Sequence, residues 1–297
     1  MWKIRMRNFF LLFIVQALTL VASPHSIRID DLIFITDSER PHLNHGEAAV
    51  FPYSDEASVL LEKAIEIKAI RGKEFDLVID PFCGDGKSGL PVVFYSVAKK
   101  LIGTDINPRA IEYAKINAEI NHLESNSHFS KRDILVDGLH ESDCPGNTLW
   151  IANPPFSLKI PGVNVALMRD GGENGLKLTS AFVSRTLQAA KQGDVILGIG
   201  YSRIRPDGTL ELEDELTKMT RKYGATLKIT LLEGQKLWRG FNGIKEQENP
   251  SEITSEMLAT KADPLNQEEV DAYKKAAELH IQAGYNRLGY YCYIIEK

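Results

Sequence analysis

The sequence predicts an α/β protein, a mostly parallel sheet with helices on both faces. Three observations carry that expectation. From Phe75 onward, short apolar runs take turns with longer amphipathic stretches. Most of these runs end in Asp, Asn or Gly, the residues of turns at strand ends. A chain of 297 residues, 43% hydrophobic and 25% charged, is ordinary for a globular protein and long enough to bury one large core or two modest ones.

In chain order, "SDEASVLLEKAIEIKAI" has apolar residues at helical spacing, with Ser54 as N-cap and Gly72 beyond its end. "FDLVID" reads as a buried strand, and the stretch after Gly86 to Lys100 as a helix with Pro91 near its first turn. "LIGTD" is a second strand, and "PRAIEYAKINAEIN" a helix opened by Pro108. "HFSKRD", "LWIAN" and "DVILGIGYS" add three strands, and Leu176–Gln192 and Leu212–Tyr223 two helices. "TLKITLLEG" and the terminal "GYYCYIIEK" bring the strands to seven. Residues 24–55 are mixed and rich in turn formers. Residues 235–288 separate the last two strands with "LWRGFNG", a polar stretch and an acidic helix around Gln267–Ala283. An insertion of that length is expected to be functional. Within it, Trp238, Arg239 and Phe241 read either as a substrate lip or as core packing beside a strand end.

Cys83, Cys144 and Cys292 are scattered, which argues against a disulfide framework and a structural zinc site and fits a reducing compartment. His42 and His45 have a metal-like spacing but no third ligand nearby, so they read as loop histidines and no metal is expected. The net charge of −5 argues against a surface coated in basic residues for long nucleic acids. Residues 151–245 are nevertheless basic, with fourteen Lys/Arg against nine Asp/Glu, and could face a polyanion.

The first residues point elsewhere. Lys3, Arg5 and Arg7 precede the apolar run Phe9–Ala22, the layout of a signal peptide, too short for a comfortable membrane span. Membrane attachment through residues 9–22, export and a start placed too far upstream are the alternatives. The expected location is cytoplasmic. A chain starting at Pro24 is expected to be soluble and to keep its ligand binding and melting temperature. Aggregation of that chain would show that the segment packs on the core.

The stretch "DPFCGDGKSG", Asp80–Gly89, admits three readings. A P-loop requires glycine five residues before Gly86, where Pro81 stands, so that reading fails. Gly84, Gly86 and Gly89 also spell the G-x-G-x-x-G of a dinucleotide site, with Asp105 ending the next strand to accept from ribose hydroxyls. The third reading is a methyl-donor site. The second half of the chain discriminates, because "LWIANPPF" ends a strand in Asn153-Pro154-Pro155-Phe156. The two prolines stiffen an extended backbone. The Asn153 side chain and Pro154 carbonyl then form paired acceptors for a target –NH2, and the Phe156 ring offers a stacking surface. Hydride transfer has no use for such a device.

With both motifs in this order, about residues 51–205 resemble the class I S-adenosylmethionine-dependent methyltransferases that carry an Asn-Pro-Pro-aromatic motif. "GTDINPRAIEYAKINAEIN" and "GGENGL" (171–176) look like the release-factor glutamine methyltransferases and the related small-domain RNA methyltransferases. The resemblance implies a Rossmann-like fold with an antiparallel last strand. It also implies S-adenosylmethionine as cofactor and methyl transfer to a planar amide or exocyclic amino nitrogen. Protein glutamine in a release factor or ribosomal protein is favoured, and an rRNA or tRNA base is next. Phe156 stands where the glutamine enzymes commonly have Tyr, and residues 24–74 are too few for their large helical front domain.

The resemblance divides the chain into the apolar segment 1–23, a short extension 24–74, and a catalytic domain 75–297 with its insertion. It assigns Asn153, Pro154, Pro155 and Phe156 to catalysis. The cofactor would meet Asp80, Phe82, Cys83, Gly84, Gly86, Asp105 (ribose), Ile106 (adenine), Asp133 (adenine amino group), Ile134 and Asn153. Lys87 reads as a solvent-facing cation, Cys83 as a packed loop residue, and no histidine is expected to be catalytic. Two alternatives stand beside the methyltransferase: a non-catalytic S-adenosylmethionine-binding module and an NAD-dependent oxidoreductase.

Overall fold

The computed structural model describes residues 25–29, 31–37, 50, 55–138, 146–156, 158–159, 170–232, 267–285 and 287–297. The expectations for residues 1–23, for His42 and His45, and for Trp238, Arg239 and Phe241 lie outside these residues. Among the described residues no helix is long and apolar enough to cross a membrane. The chain forms two units, Met1–Asp133 and Ile134–Lys297. The seven predicted strands are present and belong to one mixed, mostly parallel sheet.

In the first unit the strands are β3 (Leu77–Asp80), β4 (Leu101–Asp105) and β5 (Ser127–Lys131), ordered β5-β4-β3 and parallel. Leu77, Val78 and Ile79 are all buried, as expected of a strand covered on both faces. Helix α1 (Asp55–Arg71) buries Leu60, Ala64 and Ile67. Helix α3 (Pro108–Ile120) opens with Asn107 capping the Arg109 N–H and Pro108 in the first turn.

The helix between β3 and β4 is shorter than the sequence predicts. Helix α2 spans only Gly89–Phe94, not the stretch to Lys100. Ser96 turns left-handed at φ 55°, and the N–H groups of Val97 and Ala98 both reach back to the Val92 carbonyl. Val97 and Ala98 thus keep a helical-looking apolar spacing while burying themselves in the run into β4.

Residues 25–36, where no element is predicted, form a β-hairpin separate from the main sheet. Its strands are β1 (His25–Ile29) and β2 (Leu32–Thr36), with Ile29 paired to Leu32. The hairpin docks on α3, where Ile35 and Val50 pack with Ala110 and Tyr113. Beyond β2, buried Asp37 accepts from Arg109 Nη2 at 2.6 Å, the Val50 N–H at 2.8 Å and the Tyr113 hydroxyl at 2.9 Å. Burial works to raise this carboxyl, but those three donors hold it below its usual range.

The second unit holds β6 (Thr148–Ala152), β7 (Val195–Ile204), β8 (Thr226–Leu231) and β9 (Arg287–Glu296), ordered β6-β7-β9-β8. β6 and β7 are parallel, and the last strand β9 runs antiparallel to both β7 and β8. Helix α4 (Lys177–Ala189) buries Phe182, Val183 and Leu187. Helix α5 (Glu211–Tyr223) carries Glu211, Glu213 and Asp214 in its first turn and Arg221 and Lys222 in its last, the charge order its dipole favours. It stops at Gly224, left-handed at φ 66°. Of the insertion, helix α6 (Gln267–Gln282) is described and matches the predicted acidic helix.

Candidate active site

The predicted donor-binding residues of the first unit follow the carboxyl ends of their strands. β3 ends in Asp80, which is fully buried. Its Oδ1 accepts the Phe82 N–H at 3.2 Å, and its Oδ2 has no hydrogen-bond partner among the described residues. Burial, opposed by the Phe82 N–H and reinforced by the Asp105 and Asp85 carboxylates, pushes Asp80 up to about 8. A buried carboxylate with one oxygen unsatisfied is costly unless a cationic group meets it. The ammonium of S-adenosylmethionine is such a group, so Asp80 fits this cofactor.

Gly84 (φ 53°) and Gly86 (φ 88°) both occupy the left-handed region that L side chains avoid. A Cβ on Gly86 would strike Leu90, whereas one on Gly84 would meet nothing within 4 Å. The turn is therefore tight on its protein side and open at Gly84, where a ligand can approach the backbone. Asp105, ending β4, accepts the Gly84 N–H through Oδ2 and the Asn107 N–H through Oδ1, each at 2.9 Å. Burial, outweighing those two donors, raises its pKa. Ile106, next in the chain, is 43% exposed, an apolar surface at the strand end. Phe82 is half-buried. Cys83 is buried with its N–H on the Thr104 carbonyl, and burial raises its thiol well above the ordinary value, so it is packing and not a nucleophile.

One strand boundary differs from the prediction. β5 ends at Lys131, so half-buried Asp133 lies in the turn after the strand instead of at its last position. Ile134, buried, begins the second unit. Lys87 is not a solvent-facing cation. It is 7% exposed, and its ammonium lies 3.5 Å from Asp85 Oδ1, offsetting one buried carboxylate beside the turn.

In the second unit, fully buried β6 delivers half-buried Asn153, buried Pro154, and half-buried Pro155 and Phe156. The Phe156 ring meets Tyr201 of β7 edge-on at 4.9 Å, and Tyr290 of β9 lies 6.5 Å from Phe156 and 5.2 Å from Tyr201. Sequence reasoning missed both tyrosines, because no motif links them to Phe156. They meet through strand register, Tyr201 pairing with Tyr290.

The "GGENGL" loop has a structural task that its sequence did not reveal. A Cβ on Gly171 would lie 2.7 Å from the Phe156 Cα, and one on Gly175 would lie 2.6 Å from the Phe156 carbonyl oxygen. Lys159 donates its N–H to the Gly172 carbonyl at 2.9 Å. The loop thus braces the Asn-Pro-Pro-Phe backbone by close approach. Asn174 in turn donates to Glu211 at 3.4 Å, and Glu211 is paired with Arg203. The Arg203 guanidinium lies 2.9 Å from His280 Nδ1 and 4.1 Å above the Tyr285 ring. Guanidinium can only donate, so Nδ1 is the acceptor and His280 is neutral. Burial, with Arg203 next, pushes His280 down to about 4.

A titration follows from Asp80. Its folded pKa lies above the unfolded value, so its contribution to stability is complete below about pH 4 and is lost as pH rises to about 8. In the same window a cationic ligand should bind more tightly as pH rises, because the bare carboxylate is its partner. Asp80→Asn should flatten both trends. Urea melts and donor titrations at pH 5.5 and 8.5 are the check, and equal pH slopes in the variant and the parent would contradict it.

The family model of the TRM5/TYW2 methyltransferase domain matches residues 57–136. Among sequence relatives, a tRNA (guanine(26)-N(2))-dimethyltransferase of Methanopyrus kandleri is 27% identical over 120 residues, covering 39% of this chain and 31% of the relative. A release factor glutamine methyltransferase of Clostridium acetobutylicum is 26% identical over 163 residues, covering 51% of this chain and 55% of the relative. The chain thus spans only part of the curated relatives it matches. Among solved structures, M. jannaschii TYW2 in complex with AdoMet aligns with a TM-score of 0.49 at 13% identity, covering 93% of this chain and 87% of that one. The segment matched by the TRM5/TYW2 methyltransferase domain model, residues 57–136, is the one that holds Asp80, the Gly84–Gly86 turn and Asp105.

Proposed function

We propose that this protein transfers a methyl group from S-adenosylmethionine to a planar nitrogen on an RNA base. The observation that carries the reading is the Asn153–Phe156 segment, braced by Gly171 and Gly175 and flanked by Tyr201 and Tyr290. The Asn153 side-chain oxygen and the Pro154 carbonyl accept from the two protons of an amino group. This draws electron density onto the nitrogen and restricts its rotation. Aromatic side chains that stack on a base contribute about 1–3 kcal/mol each, more than the small π system of an amide can draw from the same rings. When bound, S-adenosylmethionine supplies an electrophilic methyl group on a sulfonium. Asp80 holds a cationic end of it, Asp105 accepts from ribose hydroxyls, and Ile106 covers the adenine.

The protein glutamine amide, favoured by the sequence alone, is the second reading, and the Clostridium acetobutylicum relative supports it. Labelled donor incubated with the protein and cell lysate separates the two. Label removed by RNase and not by protease supports the RNA base. The reverse supports glutamine, and no transfer at all together with donor binding would leave only a binding module. NAD in place of the methyl donor should not raise the melting temperature. We further propose a cytoplasmic location, which fractionation of the full chain tests.

A further inference from the structure

We propose that Asn117 is a positioning residue that locks the donor turn to the N-terminal hairpin. This rests on the reading of Gly84–Gly86 as the donor turn. Asn117 lies on α3, fully buried. Its Oδ1 accepts the Ile35 N–H at 2.6 Å, and its Nδ2 donates to the Ile35 carbonyl at 2.9 Å and the Asp85 carbonyl at 2.8 Å. Both amide protons and the amide oxygen are thus engaged. One helical turn later, Asn121 repeats half of this pattern. Its Oδ1 accepts the Ile33 N–H at 2.9 Å, and its Nδ2 donates to the Ile33 carbonyl at 2.7 Å.

The two grips match because helix and strand spacings match. Four helical residues rise about 6 Å, and two strand residues rise about 6.7 Å. Residues two apart on a strand turn N–H and C=O to the same edge. Asparagines at i and i+4 therefore hold β2 by that edge, where a further strand would otherwise pair.

Only Asn117 also reaches the turn. The Asp85 carbonyl belongs to the peptide that leads into Gly86, whose N–H donates to the Cys83 carbonyl at 2.8 Å. That peptide plane is pinned at both ends, by Asn117 on the oxygen and by Cys83 on the nitrogen. It stands between two left-handed glycines, whose backbone has the widest freedom to rotate. Asp105 pins the Gly84 N–H from the other side. Without Asn117 the Asp85–Gly86 peptide is held only through Cys83, and the shape presented to the donor is no longer unique.

Asn121 supplies the control, since its side chain holds the hairpin and the Asn117 carbonyl but not the turn. Asn117→Ala and Asn121→Ala should both lower the melting temperature. Asn117→Ala alone should weaken donor binding by about tenfold, the effect of one lost hydrogen bond on a binding surface. It alone should also shift the amide resonances of Gly84 and Gly86 in the ligand-free protein. Asn117→Asp keeps the acceptor for the Ile35 N–H and loses the donor to the Ile35 and Asp85 carbonyls, and it serves with the same expected result if the alanine variant does not fold. Equal losses of affinity in the Asn117 and Asn121 variants, or unshifted glycine amides in the Asn117 variants, would overturn the proposal. A parent protein that binds no S-adenosylmethionine would overturn the donor-site reading instead, and the ligand-free amide shifts would still decide the role of Asn117.

Discussion

Asn153→Ala should lower methyl transfer by about 10²–10³-fold, the size of effect seen when a fixed polar group that stabilises a transition state is removed, and leave donor affinity nearly unchanged. The side chain is half-buried and follows a fully buried strand, so its removal leaves β6 in place. Gly171 and Gly175 hold the backbone at Phe156 independently of the Asn153 amide. What is lost is one of two acceptors for the target amino group, an interaction that matters most when the nitrogen attacks. Donor titration and turnover are measured on the same preparation. A large loss of donor affinity with turnover retained would remove Asn153 from the acceptor site.

Asp105→Ala should do the opposite, weakening donor binding by about 10–100-fold, because a charged acceptor contributes about 1.5–3 kcal/mol. The structure adds two consequences. Asp105 also satisfies the N–H groups of Gly84 and Asn107, so the alanine variant should lose stability as well as affinity. Its carboxylate also helps to raise Asp80, so the pH at which donor binding strengthens should move downward in the variant. Asp105→Asn keeps an acceptor and lacks the charge. It should restore most of the stability while leaving the Asp80 shift. Calorimetry across pH 5.5–8.5 reads both effects, and unchanged affinity in the alanine variant would place the ribose elsewhere.

Residues whose neighbours lie close in the chain were legible without coordinates. Asp80, Gly84, Gly86 and Asp105 stand at strand ends because an apolar run followed by a turn former marks a strand end from sequence alone. Pro108 behind Asn107 announced the start of α3 in the same way. The hairpin was missed because "IDDL" lacks the glycine that usually signals a tight two-strand turn. Asn117 looked like one more polar residue of an amphipathic helix, and nothing local distinguishes it from Asn121.

The order of the chain alone determined an α/β fold with seven strands, the glycine turn after the first of them, and an Asn-Pro-Pro-Phe segment after the fourth. Periodicity and turn chemistry act over a few residues, and so a sequence displays them directly. Only the tertiary structure decided which distant groups meet. It set Tyr201 and Tyr290 around Phe156 through strand register, buried Asp80 with one oxygen unsatisfied, and buried Lys87 together with its ion-pair partner. It also carried the hairpin to the Asp85 carbonyl through one asparagine. Register, burial and a shared hydrogen bond depend on residues tens of positions apart, and no local pattern records which of them will come within 3 Å.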